Sequence, residues 1–235
     1  MVKKASNENK KSILYIDEIP SDCHITVGRG EILKLNIASF NGSINGKIDI
    51  DVEGDAKVEG AFADFSREPG KFIININLND AGASCEWHLA SLAHAEGKKI
   101  FETSVMHEKE ETSALMSNYG IARDSGNLTF SGTSHIKHGA INTNTRQDAK
   151  IIVFDKDSDG KAMPILRIDE NDVQASHAAV VGRLNEQHLF YLESRGISEE
   201  NAKRIIALGY LKPIEEFFDD EEVLKSIDQA IEGGI

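Results

Sequence analysis

Apolar residues recur at every second position from about Ile25 to Val173, as in Ile48-Asp49-Ile50-Asp51-Val52 and Ile74-Asn75-Ile76-Asn77-Leu78. This alternation predicts half-buried strands. Turns are predicted between them at Asn41-Gly42, Asn45-Gly46, Glu53-Gly54, Pro69-Gly70, Ala81-Gly82, Glu96-Gly97, Ser125-Gly126 and Asp159-Gly160. After Leu184 the period becomes helical. Asn185 predicts the cap of a helix running to Arg195 and Gly196, and Ser198 the cap of a second, with Glu199 and Glu200 at its positive end. Pro213 suits the first turn of a short third helix ending near Phe217-Phe218. A fourth is predicted from about Asp220, with Val223, Leu224, Ile227 and Ile231 on one side, as far as Gly233-Gly234.

Many short strands suit a sandwich, a barrel or a β-helix, and no strict repeat period chooses among them. The expected organisation is an amino-terminal extension over residues 1–24, a β core over 25–182 and a helical unit over 183–235. Short helices are marginal in water on their own, so the helical unit needs a platform. The end of the β domain supplies one face, and Tyr210, Phe217 and Phe218 are surplus apolar residues available to a partner.

Composition narrows the function classes. With 235 residues and a formal charge of −13, the chain can bury a sizeable core but is a poor match for nucleic-acid phosphates. Cys23 and Cys85 allow one disulfide at most and exclude a four-thiolate zinc site, which fits a reducing cytoplasm. The first residues contain no apolar signal segment, and no later run approaches a membrane span. There is no nucleophile elbow, phosphate-binding loop or dinucleotide fingerprint, so no enzymatic activity of its own is expected.

His177 is the leading candidate residue. It stands among Ala175, Ser176, Ala178 and Ala179 in an expected strand-to-helix junction over Ala175 to Gly182, where an imidazole could be displayed without crowding and could ligate iron or carry protons. Asp155-Lys156-Asp157-Ser158-Asp159-Gly160 imitates the start of a calcium loop, but Leu166 occupies the position of the required glutamate. His135 and His138 are badly placed for one metal. His24, His88, His94 and His188 read as surface or packing residues, and Cys23 and Cys85 as small buried hydrophobes.

The series Ser176-His177, Val181-Gly182-Arg183-Leu184, Leu189-Phe190-Tyr191-Leu192 and Ser194-Arg195-Gly196-Ile197 resembles the carboxy-terminal segment of the SufB/SufD proteins of iron–sulfur cluster assembly. His107, Asn118-Tyr119-Gly120, the run Asn127 to Gly132 and the run Ile151 to Asp155 continue the resemblance upstream. It implies a right-handed parallel β-helix with a small carboxy-terminal helical domain. It also implies a scaffold that binds a SufC-type ABC ATPase through those helices, with Tyr210, Phe217 and Phe218 as contacts. Pairing with a SufB-type paralogue or with a second copy is implied too. His177 would then lie at the dimer interface, with His107 a weaker candidate, and any iron or iron–sulfur cluster would be transient, with no stably bound cofactor.

The departures favour the SufD-like, noncatalytic role. Asp148 stands where SufB-type proteins carry a reactive cysteine before their apolar strand, and Ala178 where they place a glutamate. Ala175 stands where many SufD-type proteins have a cysteine, and the family's long helical amino-terminal region has no counterpart here. A carbohydrate-active β-helix enzyme and a homodimeric metal-binding module are the competing readings.

Overall fold

The computed structural model describes residues 1–7, 9–94 and 97–234. Its first strands are β1 (Val2–Asn7), β2 (Lys10–Ile16), β3 (Cys23–Val27), β4 (Ile32–Ser39), β5 (Gly46–Val52), β6 (Lys57–Asp64) and β7 (Gly70–Leu78). There follow β8 (Ser84–Ala93), β9 (Gly97–His107), β10 (Ser113–Ala122), β11 (Gly126–Ile136), β12 (Thr143–Val153), β13 (Asp159–Ile168) and β14 (Val173–Arg183). From β2 onward the chain alternates between two sheets, ordered β1-β2-β4-β6-β8-β10-β12-β14 and β13-β11-β9-β7-β5-β3. Apart from the β1–β2 hairpin every pairing is parallel. The result is a parallel β-helix with a small helical unit after it, and the crossover preference of twisted strands favours a right-handed winding.

The missing sequence repeat has a geometric cause. Lys10 pairs with Ile32, Ile32 with Lys57, Lys57 with Ser84, Ser84 with Ser113 and Ser113 with Asn144, which are steps of 22, 25, 27, 29 and 31 residues. With the last step, from Asn144 to Gln174, at 30, the coil length drifts and no fixed period exists. What repeats is a corner: Gly30, Asp55, Gly82, Glu111 and Asn142 all have positive φ. Each donates its backbone N–H to the neighbouring coil, at Gly54, Ala81, Glu110, Ile141 and Asp172 respectively. Gly, Asp and Asn tolerate this left-handed backbone well, which leaves Glu111 the unusual member.

Inward positions stack into an apolar core. Phe62 meets Phe72 and Phe101 edge-on at 4.9 and 5.5 Å between centroids, and Trp87 stacks on Phe72 at 6.3 Å. Trp87 fits because Gly60 is its register partner, where an added Cβ would come within 2.4 Å of the indole. In the last coils the filling turns polar: Ser134 Oγ meets Thr145 Oγ1 at 2.9 Å, and Gln147 Nε2 donates to Ser134 Oγ at 2.8 Å. At a corner, buried Lys99 donates from Nζ to Asp64 Oδ2 at 2.7 Å and to the carbonyls of Ser66 and Leu92. Asp64 also accepts from the hydroxyls of Ser66 and Ser91.

The helical unit comprises α1 (Glu186–Ser194), α2 (Glu199–Leu211), a 3-10 turn (Lys212–Phe217) and α3 (Glu221–Gly233). Asn185, Ser198 and Asp220 cap the three helices with side-chain oxygens. Leu211, Ile214, Phe218, Val223, Ile227 and Ile231 pack on Ala38, Ala61, Ala63, Ala90, Leu92 and Ile121. The sheet's outer surface is thus the platform that the helices require.

Two expectations change, and a third lies partly outside the described residues. Residues 1–24, read as an extension, supply β1, β2 and the start of β3, with Glu8 outside the described residues. The strand-to-helix junction expected at Ala175–Gly182 is continuous strand, because the backbone of β14 pairs with β12 as far as Arg183. At the predicted Glu96-Gly97 turn, Glu96 lies outside the described residues and Gly97 opens β9.

Candidate functional site

The eight-stranded sheet has two edges of opposite character. At one, β1 displays Lys3 and Lys4, the kind of charge that discourages pairing with another chain. At the other, β14 carries no charged residue from Val173 to Gly182. The second sheet ends on β13, where Pro164 lacks an N–H and Lys161 and Arg167 are exposed. β14 therefore stands out as the edge left chemically open to extension.

Side-chain exposure points the same way. Val180 is 55% exposed and Val181 is exposed as well, although they lie on opposite faces of the strand. Beyond them α1 has no buried residue, and Phe190 and Tyr191 are 71% and 57% exposed. Arg195 lies over the Tyr191 ring at 5.2 Å. A nine-residue helix with no fully buried residue, only Leu189 and Leu192 half-buried, contributes little stability by itself. Together β14 and α1 form a contiguous stretch of chain with apolar surface exposed.

His177 lies mid-strand in β14, exposed, with Gln147 as its register partner. Gln147 is buried; its Nε2 is used by Ser134 and the Ile165 carbonyl, while its Oε1 has no partner among the described residues. The open end of the coil thus presents an imidazole position over a polar, incompletely satisfied layer. Asp148, one residue along β12, points to the opposite face of that sheet, where Arg146 Nε donates to it at 2.9 Å. It belongs to a surface ion pair and is not grouped with His177.

His107 is enclosed. It is fully buried on β9 in the other sheet, its Nδ1 is 2.8 Å from Thr112 Oγ1, and burial pushes its pKa down to about 4. Thr112 continues to Thr143 Oγ1 at 3.0 Å. This hydrogen-bonded string ties together strand ends and leaves His107 without access to solvent. The structure does not bring it together with His177.

The three aromatic residues expected to face a partner also pack on the sheet. Phe218 is buried, Phe217 stacks on His88 at 3.8 Å, and Tyr210 meets Tyr119 edge-on at 5.4 Å. Burial raises the Tyr210 pKa and lowers that of His88. Surplus apolar surface exists, but it is carried by α1. Sequence reasoning missed this because the pattern Leu189-Phe190-Tyr191-Leu192 does not say which pair turns outward.

The remaining candidates are structural. Asp155 accepts the Asp124 N–H at 2.8 Å in an acidic turn, and Cys85 is a buried thiol pushed up to about 12. His135 Nε2 pairs with Asp169 at 2.8 Å. Among the described residues no group of three or more His, Cys, Asp or Glu side chains is placed to hold a metal ion, and no helix is long and apolar enough to cross a membrane.

Comparison with known proteins gives this geometry a context. Residues 32–210 match the family model described as SUF system FeS cluster assembly, SufBD core domain. The iron–sulfur cluster assembly protein SufD of Bacillus subtilis is 34% identical over 156 residues, covering 66% of this chain and 36% of that protein. SufD of Escherichia coli is 28% identical over 159 residues, covering 65% and 38%. An iron–sulfur cluster assembly SufBD family protein of Staphylococcus epidermidis is 27% identical over 134 residues, covering 56% and 29%. The matched region thus spans little more than a third of the SufD proteins. The family match runs through every strand from β4 to β14 and through α1, so the chain belongs to the SufB/SufD family of iron–sulfur cluster assembly proteins and is SufD-like.

Proposed function

We propose that the chain is a noncatalytic scaffold subunit of a cytoplasmic SUF-type assembly complex, with β14 as its pairing edge and α1 as its docking helix for a SufC-type ATPase. The observation that carries this reading is the continuous exposed stretch from β14 into α1, uncharged on the strand and aromatic on the helix. Edge pairing with a SufB-type subunit or a second copy would satisfy the free backbone groups of β14, and backbone pairing of this kind is a general recognition mode. Exposed aromatics such as Phe190 and Tyr191 are the residue types that anchor protein interfaces.

Iron or a nascent iron–sulfur cluster is the cargo in this reading and is held only in passing. His177 supplies a borderline nitrogen ligand at the pairing edge. Asp148 cannot receive persulfide sulfur, because a carboxylate forms no sulfur–sulfur bond, and the buried thiol of Cys85 is held protonated at neutral pH. Cys23, the other free thiol, is half-buried at the opposite end of the coil from β14, and this reading gives sulfur acceptance to the partner subunit.

Co-purification tests the docking helix. The chain expressed with a SufC-type ATPase should retain it, and Phe190→Glu combined with Tyr191→Ser should weaken the complex about 100-fold, in line with the loss of two interface anchors. Because neither residue is buried, the melting temperature should move little. An undiminished complex with this variant would assign the contact elsewhere.

A further inference from the structure

A cleft of about 670 Å3 lies between the strand ends of the larger sheet and α3, well away from β14. Its volume falls within the range of small-molecule sites. Phe40 and Phe65 line it from successive coils, and Val223 and Ala230 from α3, giving it an apolar body. Ser226 stands on the helical wall.

One region of this cleft is polar and incompletely satisfied. His94 is 8% exposed, and its Nε2 has no hydrogen-bond partner among the described residues. Burial, with Arg67, Lys99 and Arg123 nearby, lowers its pKa to about 4, leaving the imidazole neutral at pH 7. The three cations differ in their commitments. Lys99 is paired with Asp64, and Arg123 donates to the Gly234 carbonyl. Arg67 is exposed and forms no ion pair among the described residues.

The acids on the rim are Asp17, Glu68 and Glu222. The Asp17 carboxylate is occupied by the backbone N–H groups of Phe40, Asn41 and Gly42. Glu222 belongs to the α3 end near Lys3. Among the lining residues Arg67 is the one Lys or Arg side chain, so the acids disfavour a polyanion while a single negative charge can still face Arg67.

We propose that this cleft binds a small organic monoanion with an aromatic or acyl body, its charge at Arg67 and His94 and its apolar part between Phe40, Phe65 and α3. Because the β-helix and α3 supply opposite walls, occupancy would brace the helical unit on its platform and stabilise the folded chain by mass action.

The test uses the full chain with 8-anilinonaphthalene-1-sulfonate, an aromatic monoanion that fluoresces on apolar contact. Saturable one-to-one binding, displaced by octanoate, is expected. Arg67→Met should weaken it about tenfold, as expected for loss of a charge-assisted contact. The neutral N-phenyl-1-naphthylamine should be far less affected by that change. Ser226→Trp should fill the cleft and remove binding of both probes, whereas the Phe190→Glu/Tyr191→Ser variant should bind normally. Nonsaturable binding, full binding by Ser226→Trp, or loss confined to the α1 variant would overturn the proposal.

Discussion

Replacing Lys99 by methionine should destabilise the protein by about 3–5 kcal/mol, the cost typical of stranding one member of a buried ion pair. Lys99 and Asp64 are both buried, and the ammonium also satisfies the carbonyls of Ser66 and Leu92 where the chain leaves one sheet for the other. Its removal leaves the Asp64 carboxylate with only hydroxyl and backbone donors from Ser66 and Ser91. Adding Asp64→Asn should recover part of the loss, since no net charge then remains buried, and the two substitutions should be strongly non-additive. Urea unfolding of the single and double variants measures both effects. A loss below about 1 kcal/mol for Lys99→Met would mean that the pair is as dispensable as a surface bridge.

The second large effect is expected at β14. Val180→Lys placed with Ala178→Lys gives this edge the charged character that β1 already has, and it should weaken pairing by more than about 100-fold. Both positions are exposed, so folding should be nearly unaffected. Sedimentation of the chain, alone and with a SufB-type subunit, would reveal the change as a shift from paired to unpaired species. Pairing that persists unchanged would exclude β14 as the contact.

Much of the fold was legible because local patterns and tertiary environment agree. Alternation in Ile48–Val52 and Ile74–Leu78 marks strands with one face inside the coil, and Asn185, Ser198 and Asp220 cap helices as their chemistry suggests. The β-helix itself was not legible from periodicity, since the coil length drifts between 22 and 31 residues, and only the resemblance around His177 pointed to it. Thr143, Thr145 and Gln147 alternate inward as strictly as any apolar triplet, but their polarity hides the strand from a hydrophobic search. Lys99 was equally hidden, because its partner Asp64 lies on another coil.

The placement of the candidate residues was only partly legible. His177 was singled out through its neighbours, and its place in mid-strand follows from pairing with β12 that no local signal encodes. Tyr210, Phe217 and Phe218, expected to face a partner, read as surplus until the alanine-lined platform of Ala38, Ala61, Ala63 and Ala90 takes them up, and the exposed aromatics are Phe190 and Tyr191. Small residues on the outer face of a strand are weak signals in one sequence, yet they are what lets helices approach the sheet closely.

The most direct test of the scaffold role is cluster formation on the chain assembled with its SUF partners, followed by visible absorbance and iron content, for wild type and His177→Ala. His177 is exposed, so its truncation should leave melting and assembly of the complex unchanged. The account predicts that cluster yield nevertheless falls sharply, because a ligand is lost where the cargo is built. Unchanged cluster yield, or a loss that merely follows reduced complex formation, would contradict it.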